Sequence, residues 1–155
     1  MKLGPTLEER VRHLEDRVAI GELIARYCLA MDNSDVGALE SLFTPDARIW
    51  SADGVIDARG RQAAVEMFKR RIPALGPRNH FNHDRIVEFD HVDPDRATGL
   101  VLAHAEMRRE GQPMLAAIRY QDVYQRCEGR WRFRERALSF THDVPASQCH
   151  SGRST

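Results

Sequence analysis

The side chains of this chain with the means to do chemistry are the polar ones that interrupt apolar runs. Tyr27 falls on the apolar stripe of an N-terminal helical pattern, and Asp32 follows five residues later. His80 and His83 open the first long strand pattern, and His104 ends the run Leu100-Val101-Leu102-Ala103-His104. Arg119 stands between Ile118 and Tyr120 in another strand pattern, where an unpaired charge would be costly. It is expected either to pair with a carboxylate or to meet an anionic substrate group. General acid–base work suits these residue types. A histidine with one nitrogen held by a carboxylate has a fixed tautomer, and its other nitrogen is then a stronger base. Asp32 and His80 form such a dyad if the helix end lies over the start of the strand, which spacing alone does not establish. For His104 two readings stand, a hydrogen-bonded core residue or part of a pocket. Tyr27 is likewise either a cavity-facing hydroxyl or a core tyrosine with its hydroxyl bonded.

Other chemistries find little support. His80-Phe81-Asn82-His83 is an i, i+3 pair, and odd spacing on a strand sends the two rings to opposite faces. With no HExxH pattern and no carboxylate at fixed spacing, a metal site is not expected. There is no glycine-rich phosphate loop and no GxSxG elbow. Cys28, Cys127 and Cys149 are scattered and odd in number, which reads as unpaired thiols in a reducing cytoplasm. Lys+Arg and Asp+Glu are each 23, so the net charge is zero and no basic face advertises nucleic acid. No stretch approaches 18 consecutive apolar residues, and Met1 to Pro5 lacks the apolar run of a secretory signal. A cytoplasmic, cofactor-free protein without membrane or nucleic-acid partners is expected.

The elements that must position these residues follow from periodicity. The chain of 155 residues is one domain's worth and is long enough to bury a core. Thr6-Leu7-Glu8-Glu9 is a capping box. After it, Leu7, Val11, Leu14, Val18, Leu23, Ile24, Tyr27 and Met31 fall mostly at three- and four-residue spacing, predicting one amphipathic helix to about Asp32. Ser34 or Asp35 caps a second helix with Val36, Leu39, Leu42 and Phe43 on its stripe, ended by Pro45. Residues 47–50 and 55–59 read as a hairpin around Asp53-Gly54. A third helix opens at Gly60, with Ala64, Val65, Phe68 and Ile72 on one side, and stops at Pro73. From His80 the period becomes 2, with strands at about 79–90, 97–109, 114–126 and 130–142. Connections that short make the strands antiparallel. The fold class is α+β, three helices packed on one face of a curved, mainly antiparallel sheet. One domain over 1–155 is expected, its core at about 7–143 and a frayed tail over 144–155.

A resemblance adds to this reading. Val18-Ala19-Ile20-Gly21-Glu22-Leu23-Ile24-Ala25-Arg26-Tyr27, Ala30-Met31-Asp32 and Leu39-Glu40-Ser41-Leu42-Phe43-Thr44-Pro45-Asp46-Ala47 are similar to the opening of SnoaL-like proteins. So are Asp95-Arg96-Ala97-Thr98-Gly99, Tyr120-Gln121-Asp122-Val123-Tyr124 and Gly129-Arg130-Trp131-Arg132-Phe133. The resemblance covers about residues 7–142 and implies the cone-like fold of the nuclear-transport-factor-2-like superfamily. Within it the chain most resembles the dehydratase group of scytalone dehydratase, hexachlorocyclohexane dehydrochlorinase and bile-acid 7α-dehydratase. Asp32 and His80 match the Asp and His that this group shares, and Tyr27 matches a pocket Tyr of the bile-acid enzyme. Trp50 stands near the place of a catalytic Tyr in some relatives, and His104 falls near a second acid/base position. The resemblance implies a cofactor-independent lyase acting on a small hydrophobic cyclic substrate. His80 would be the base oriented by Asp32, Tyr27 or His104 the hydrogen-bonding partner, and Trp50 and Arg119 substrate contacts. An isomerase or polyketide cyclase using the same base is the alternative enzyme. A ligand-binding or assembly module, such as a dioxygenase small subunit, is the alternative without catalysis. A homo-oligomer is implied, a trimer or alternatively a dimer.

Overall fold

The computed structural model describes residues 5–150. Helix α1 runs Leu7–Asp32, and its capping box forms: Thr6 Oγ1 accepts from the Glu9 amide and Glu9 accepts from the Thr6 amide. The single stripe expected along α1 is divided. Ile20, Leu23, Ile24, Tyr27 and Met31 are buried, whereas Leu7, Val11, Leu14 and Val18 are exposed on the opposite side. Helix α2, Val36–Ser41, is capped by Asp35, whose Oδ1 accepts from the Ala38 amide. It stops before Pro45, because the chain is already extended there. Strand β1 covers Phe43–Ser51 and contains the proline at an irregularity in its pairing, where a missing N–H is tolerated.

The hairpin partner β2 is Asp57–Arg59, and helix α3 follows at Arg61–Arg71, with a 3₁₀ turn at Ile72–Leu75. The long strands are β3 (Arg78–Phe89), β4 (Arg96–Arg109), β5 (Gln112–Cys127) and β6 (Arg130–Pro145). They form one curved, unclosed six-stranded sheet in the order β2-β1-β6-β5-β4-β3. Every neighbouring pair is antiparallel except β1 with β6. The helices cover its concave face, and the core lies between the two layers.

The tail expected to fray from residue 144 is ordered as far as the description goes. Leu115 pairs with Val144 and Met114 with Pro145, and a 3₁₀ turn over Ala146–His150 packs on β5. Backbone pairing with β5 therefore outweighs the polar composition that suggested disorder. The rest of the expected tail lies outside the described residues.

Candidate active site

Asp32 is the last residue of α1 and His80 the third residue of β3. His80 Nδ1 lies 2.6 Å from Asp32 Oδ1, and the His80 backbone N–H donates to Asp32 Oδ2 at 3.0 Å. One carboxylate thus holds both the ring and the strand that carries it. The His80 side chain is only 7% exposed. Arg78 fixes the geometry from two residues upstream. Its guanidinium donates to the carbonyls of Met31 (2.7 Å), Ile72 (3.2 Å) and Gly76 (2.7 Å), and to Ser34 Oγ (2.6 Å). These acceptors lie at the end of α1 and in the turn before β3. The contact between Asp32 and His80 is therefore built by tertiary structure, not by local spacing.

His80 lines a cavity of about 420 Å³ between the helices and the concave face of the sheet. Met31 of α1, Met67 and Phe68 of α3, and Ile49, Met107, Ile118 and Leu138 of the strands give it apolar walls. Tyr27 and Tyr120 are the hydroxyl-bearing residues of the lining, and Asp53, Arg71, Arg109 and Asp143 are its charged ones. Arg109 pairs with Asp143 at 2.7 Å. Tyr27 is 3% exposed and packs edge-on against Phe43, Phe68, Tyr120 and Phe133. Burial pushes its pKa up to about 12, so its hydroxyl is a protonated donor at neutral pH.

Behind these rings lies a group that sequence reasoning missed. Arg136 of β6 is fully buried, donating from Nε and Nη2 to the two oxygens of Asp122 at 2.9 and 3.0 Å. Its guanidinium stands 4.2 Å from the Tyr27 ring, 4.0 Å from Tyr120 and 4.2 Å from Phe133. Tyr124 donates to Asp122 at 2.9 Å, and Gly99 of β4 makes room for it, since a Cβ there would lie 2.7 Å from the Tyr124 ring. Burial opposes the Arg136 charge, yet the Asp122 carboxylate pushes its pKa above the ordinary guanidinium range. A permanent cation therefore sits against the back of two cavity tyrosines. Its Nη1 has no hydrogen-bond partner among the described residues. Strict alternation from Trp131 and Phe133 would turn Arg136 outward; an irregularity beside Phe133 turns it in. The available signal was Asp122, which shares the face of Tyr120 and Tyr124 and so needs a buried cationic partner.

Three of the expected site residues, His104, Trp50 and Arg119, require correction. His104 shares a strand face with Leu102, as expected, but that face is the outer one; Ala103 and Ala105 are the residues turned inward. There it contacts His83, and its ring centroid lies 6.2 Å from that of His142. Strand alternation places His83 on this outer side, opposite His80, as the odd spacing predicts. Trp50 alternates with the buried Ile49 and Ser51 and also faces away from the cavity. Its Nε1 donates to Glu135 at 2.8 Å, and Arg48 stacks on its ring. Arg119 lies exposed on the outer side between buried Ile118 and Tyr120, and among the described residues it makes no ion pair. The period of 2 resolves the cost assumed for its charge, because alternate positions of β5 face solvent. Among the described residues, no group of three or more His, Cys, Asp or Glu side chains is gathered for a metal ion.

Comparison with known proteins agrees with the fold. Residues 12–137 match the model of the SnoaL-like domain. The gamma-hexachlorocyclohexane dehydrochlorinase of Sphingobium indicum is 26% identical over 138 residues, covering 88% of each chain. Among solved structures, a type 2 hexachlorocyclohexane dehydrochlorinase superposes with a TM-score of 0.81 at 21% identity, covering 94% of this chain and 96% of that one. A scytalone-dehydratase-like protein of Novosphingobium aromaticivorans gives a TM-score of 0.78 at 22% identity, with coverage of 92% and 97%. At those identities the two structural matches speak for the fold.

Proposed function

The chain belongs to the SnoaL-like family, and on that premise we propose that it is a cofactor-independent lyase of the dehydratase type. The observation that carries this reading is the Asp32–His80 contact, which spends Nδ1 and leaves Nε2 for the cavity. With Nδ1–H held by the carboxylate, Nε2 carries the lone pair. It takes a proton from a carbon beside an electron-withdrawing group. The C–H electron pair becomes the new double bond, and the leaving group departs with its own bonding pair. A departing hydroxide takes up a proton and leaves as water; a halide needs none. Asp32 stabilises the imidazolium that forms between these events. Tyr27 supplies the hydrogen bond to the carbonyl or the departing oxygen, and the Arg136 charge behind its ring favours negative charge developing there.

The apolar walls and the cavity volume support a small, hydrophobic, cyclic substrate. The name of the Sphingobium relative denotes loss of hydrogen chloride, the same proton abstraction with a different leaving group. The setting proposed is the cytoplasm; no helix among the described residues is long and apolar enough to cross a membrane. A homo-oligomer, a trimer or else a dimer, is proposed through the outer sheet face. Phe81 and Leu102 are 45% and 41% exposed on that face.

The test incubates the protein in D₂O with a panel of cyclic β-hydroxy ketones and γ-hexachlorocyclohexane, followed by NMR and chloride release. Elimination by the wild type, absent from folded His80→Gln, is the expected result. Deuterium entering at carbon without elimination would indicate the isomerase instead. Binding with neither exchange nor turnover would indicate the ligand-binding module.

A further inference from the structure

Helix α1 has two apolar faces. At about 100° per residue, Asp16, Ile20, Leu23, Ile24 and Tyr27 centre on the side packed against the body. Leu7, Val11, Leu14, Val18 and Leu29 centre about 170° away. These five are 74%, 44%, 64%, 60% and 61% exposed. The stripe spans 23 residues, a rise of about 33 Å at 1.5 Å per residue. Its first four members are spaced 4-3-4, which places Leu7 and Leu14 at d positions of a heptad and Val11 and Val18 at a positions. Valine at a with leucine at d favours two helices over three.

We propose that this stripe is a docking surface for the same stripe of a second copy of the chain, the two α1 helices lying parallel about a two-fold axis. The flanking charges identify the occupant and its direction. Glu8, Glu15 and Glu22 fall at e positions, and Arg10 and Arg17 at g positions. In a parallel pair each g residue meets the e residue five positions on in the other helix, so Arg10 faces Glu15 and Arg17 faces Glu22 of the second copy. In an antiparallel pair g meets g and e meets e, setting arginine on arginine and glutamate on glutamate. Arg10 and Glu15 have no ion pair within the described residues and are free to make this contact. Arg17 already donates to the Val87 carbonyl and stacks on Phe89, so Arg10–Glu15 is the stronger of the two links. The stripe lies on the side of α1 opposite the residues packed against the body. One helix face is a small interface, so the pair is reversible with concentration. This surface is separate from the outer sheet face and does not rest on the proposed activity.

Light scattering over a concentration series tests the contact. The double variant Leu14→Glu/Val18→Glu changes only exposed positions. It is expected to keep the wild-type circular dichroism and melting temperature while the particle mass falls twofold, whatever number of copies the sheet face contributes. An unchanged mass overturns the proposal. Direction is read by Leu14→Cys in a Cys127→Ser/Cys149→Ser background. A d residue meets itself in a parallel pair, so mild oxidation yields a covalently linked dimer; absence of the link overturns the parallel arrangement. Arg10→Glu is expected to raise the dissociation midpoint several-fold and added Glu15→Arg to restore it, and failure of that rescue overturns the charge register.

Discussion

Asp16 and Asp32 are carried by the same helix, and each ties it to the sheet, Asp16 through Arg126 and Trp131 and Asp32 through His80. At the Asp16 end every group is occupied. Oδ1 accepts from Arg126 Nη1 at 2.6 Å and from Trp131 Nε1 at 2.9 Å, and Oδ2 accepts from Arg126 Nη2 at 3.3 Å. Arg126 gives its remaining donors to Asp95 and the Pro94 carbonyl and stacks on Trp131 at 4.8 Å. At the Asp32 end the carboxylate is similarly engaged, but its partner is a histidine with a second nitrogen, and that histidine lines a cavity. A saturated carboxylate cluster holds a fold together. One that ends in a group of spare capacity beside empty space suits the proton transfer proposed above. The residue type is the same; the difference is what the partner has left over.

The sharpest way to break this contrast is to neutralise each aspartate in turn. Asp32→Asn keeps the shape and removes the charge that holds an imidazolium. Turnover should fall by about 10²–10⁴, the range typical of acid–base groups, with the melting temperature nearly unchanged. Asp16→Asn should do the reverse. Leaving Arg126 partly buried without its main counter-charge should lower folding stability by about 3 kcal/mol, while turnover per folded molecule stays at the wild-type level. Denaturant titration beside steady-state assays of both variants measures this. Two variants losing activity and stability in the same proportion would remove the distinction.

Sequence carried the fold well because the signals that matter there are periodic. The capping box, the switch from a period of 3.6 to 2 at His80 and the short turns place three helices and the four-strand meander close to where they lie. Residue type and resemblance agreed on Tyr27, Asp32 and His80, and the structure brings Asp32 to His80 and lines one cavity with Tyr27 and His80. The site was illegible where a single irregularity reverses a face. The one beside Phe133 brings Arg136 inward. His104 and Trp50 failed for a related reason: alternation tells which residues share a face, but not which face meets the helices. The divided α1 stripe failed differently. A regular apolar spacing is the same in sequence whether the body or another molecule covers it.

A milder probe uses the pH at which the cavity tyrosines ionise. An exposed tyrosine titrates near 10; burial raises Tyr27 to about 12 and pushes Tyr120 up as well. The native state thus holds these protons more tightly than the unfolded chain does. Stability from Tyr27 is fully present below pH 10 and is lost as pH rises through about 12. The gap corresponds to roughly 2–3 kcal/mol. Urea titrations between pH 8 and 12 should show stability falling, and Tyr27→Phe should flatten the fall. Parallel curves for the two proteins would mean that the Tyr27 hydroxyl is in contact with water and that the region behind His80 is as wet as the surface.

The smallest effect expected is also the most selective for the distinction between the two sheet faces. His104 lies on the strand next to β3, and its partner residue Phe81 directly follows His80. In sequence terms it is an attractive acid/base candidate. Its ring nevertheless lies on the other side of the sheet, against His83 and near His142. The backbone of β4 separates it from the cavity, and no proton passes between the faces by direct contact. His104→Ala should therefore change turnover by less than about twofold and stability by no more than about 0.5 kcal/mol, as for an ordinary surface substitution. Steady-state assays of His104→Ala beside Asp32→Asn make the comparison internal. A loss in His104→Ala matching that of Asp32→Asn would place this histidine in the reaction and make the outer face part of the site.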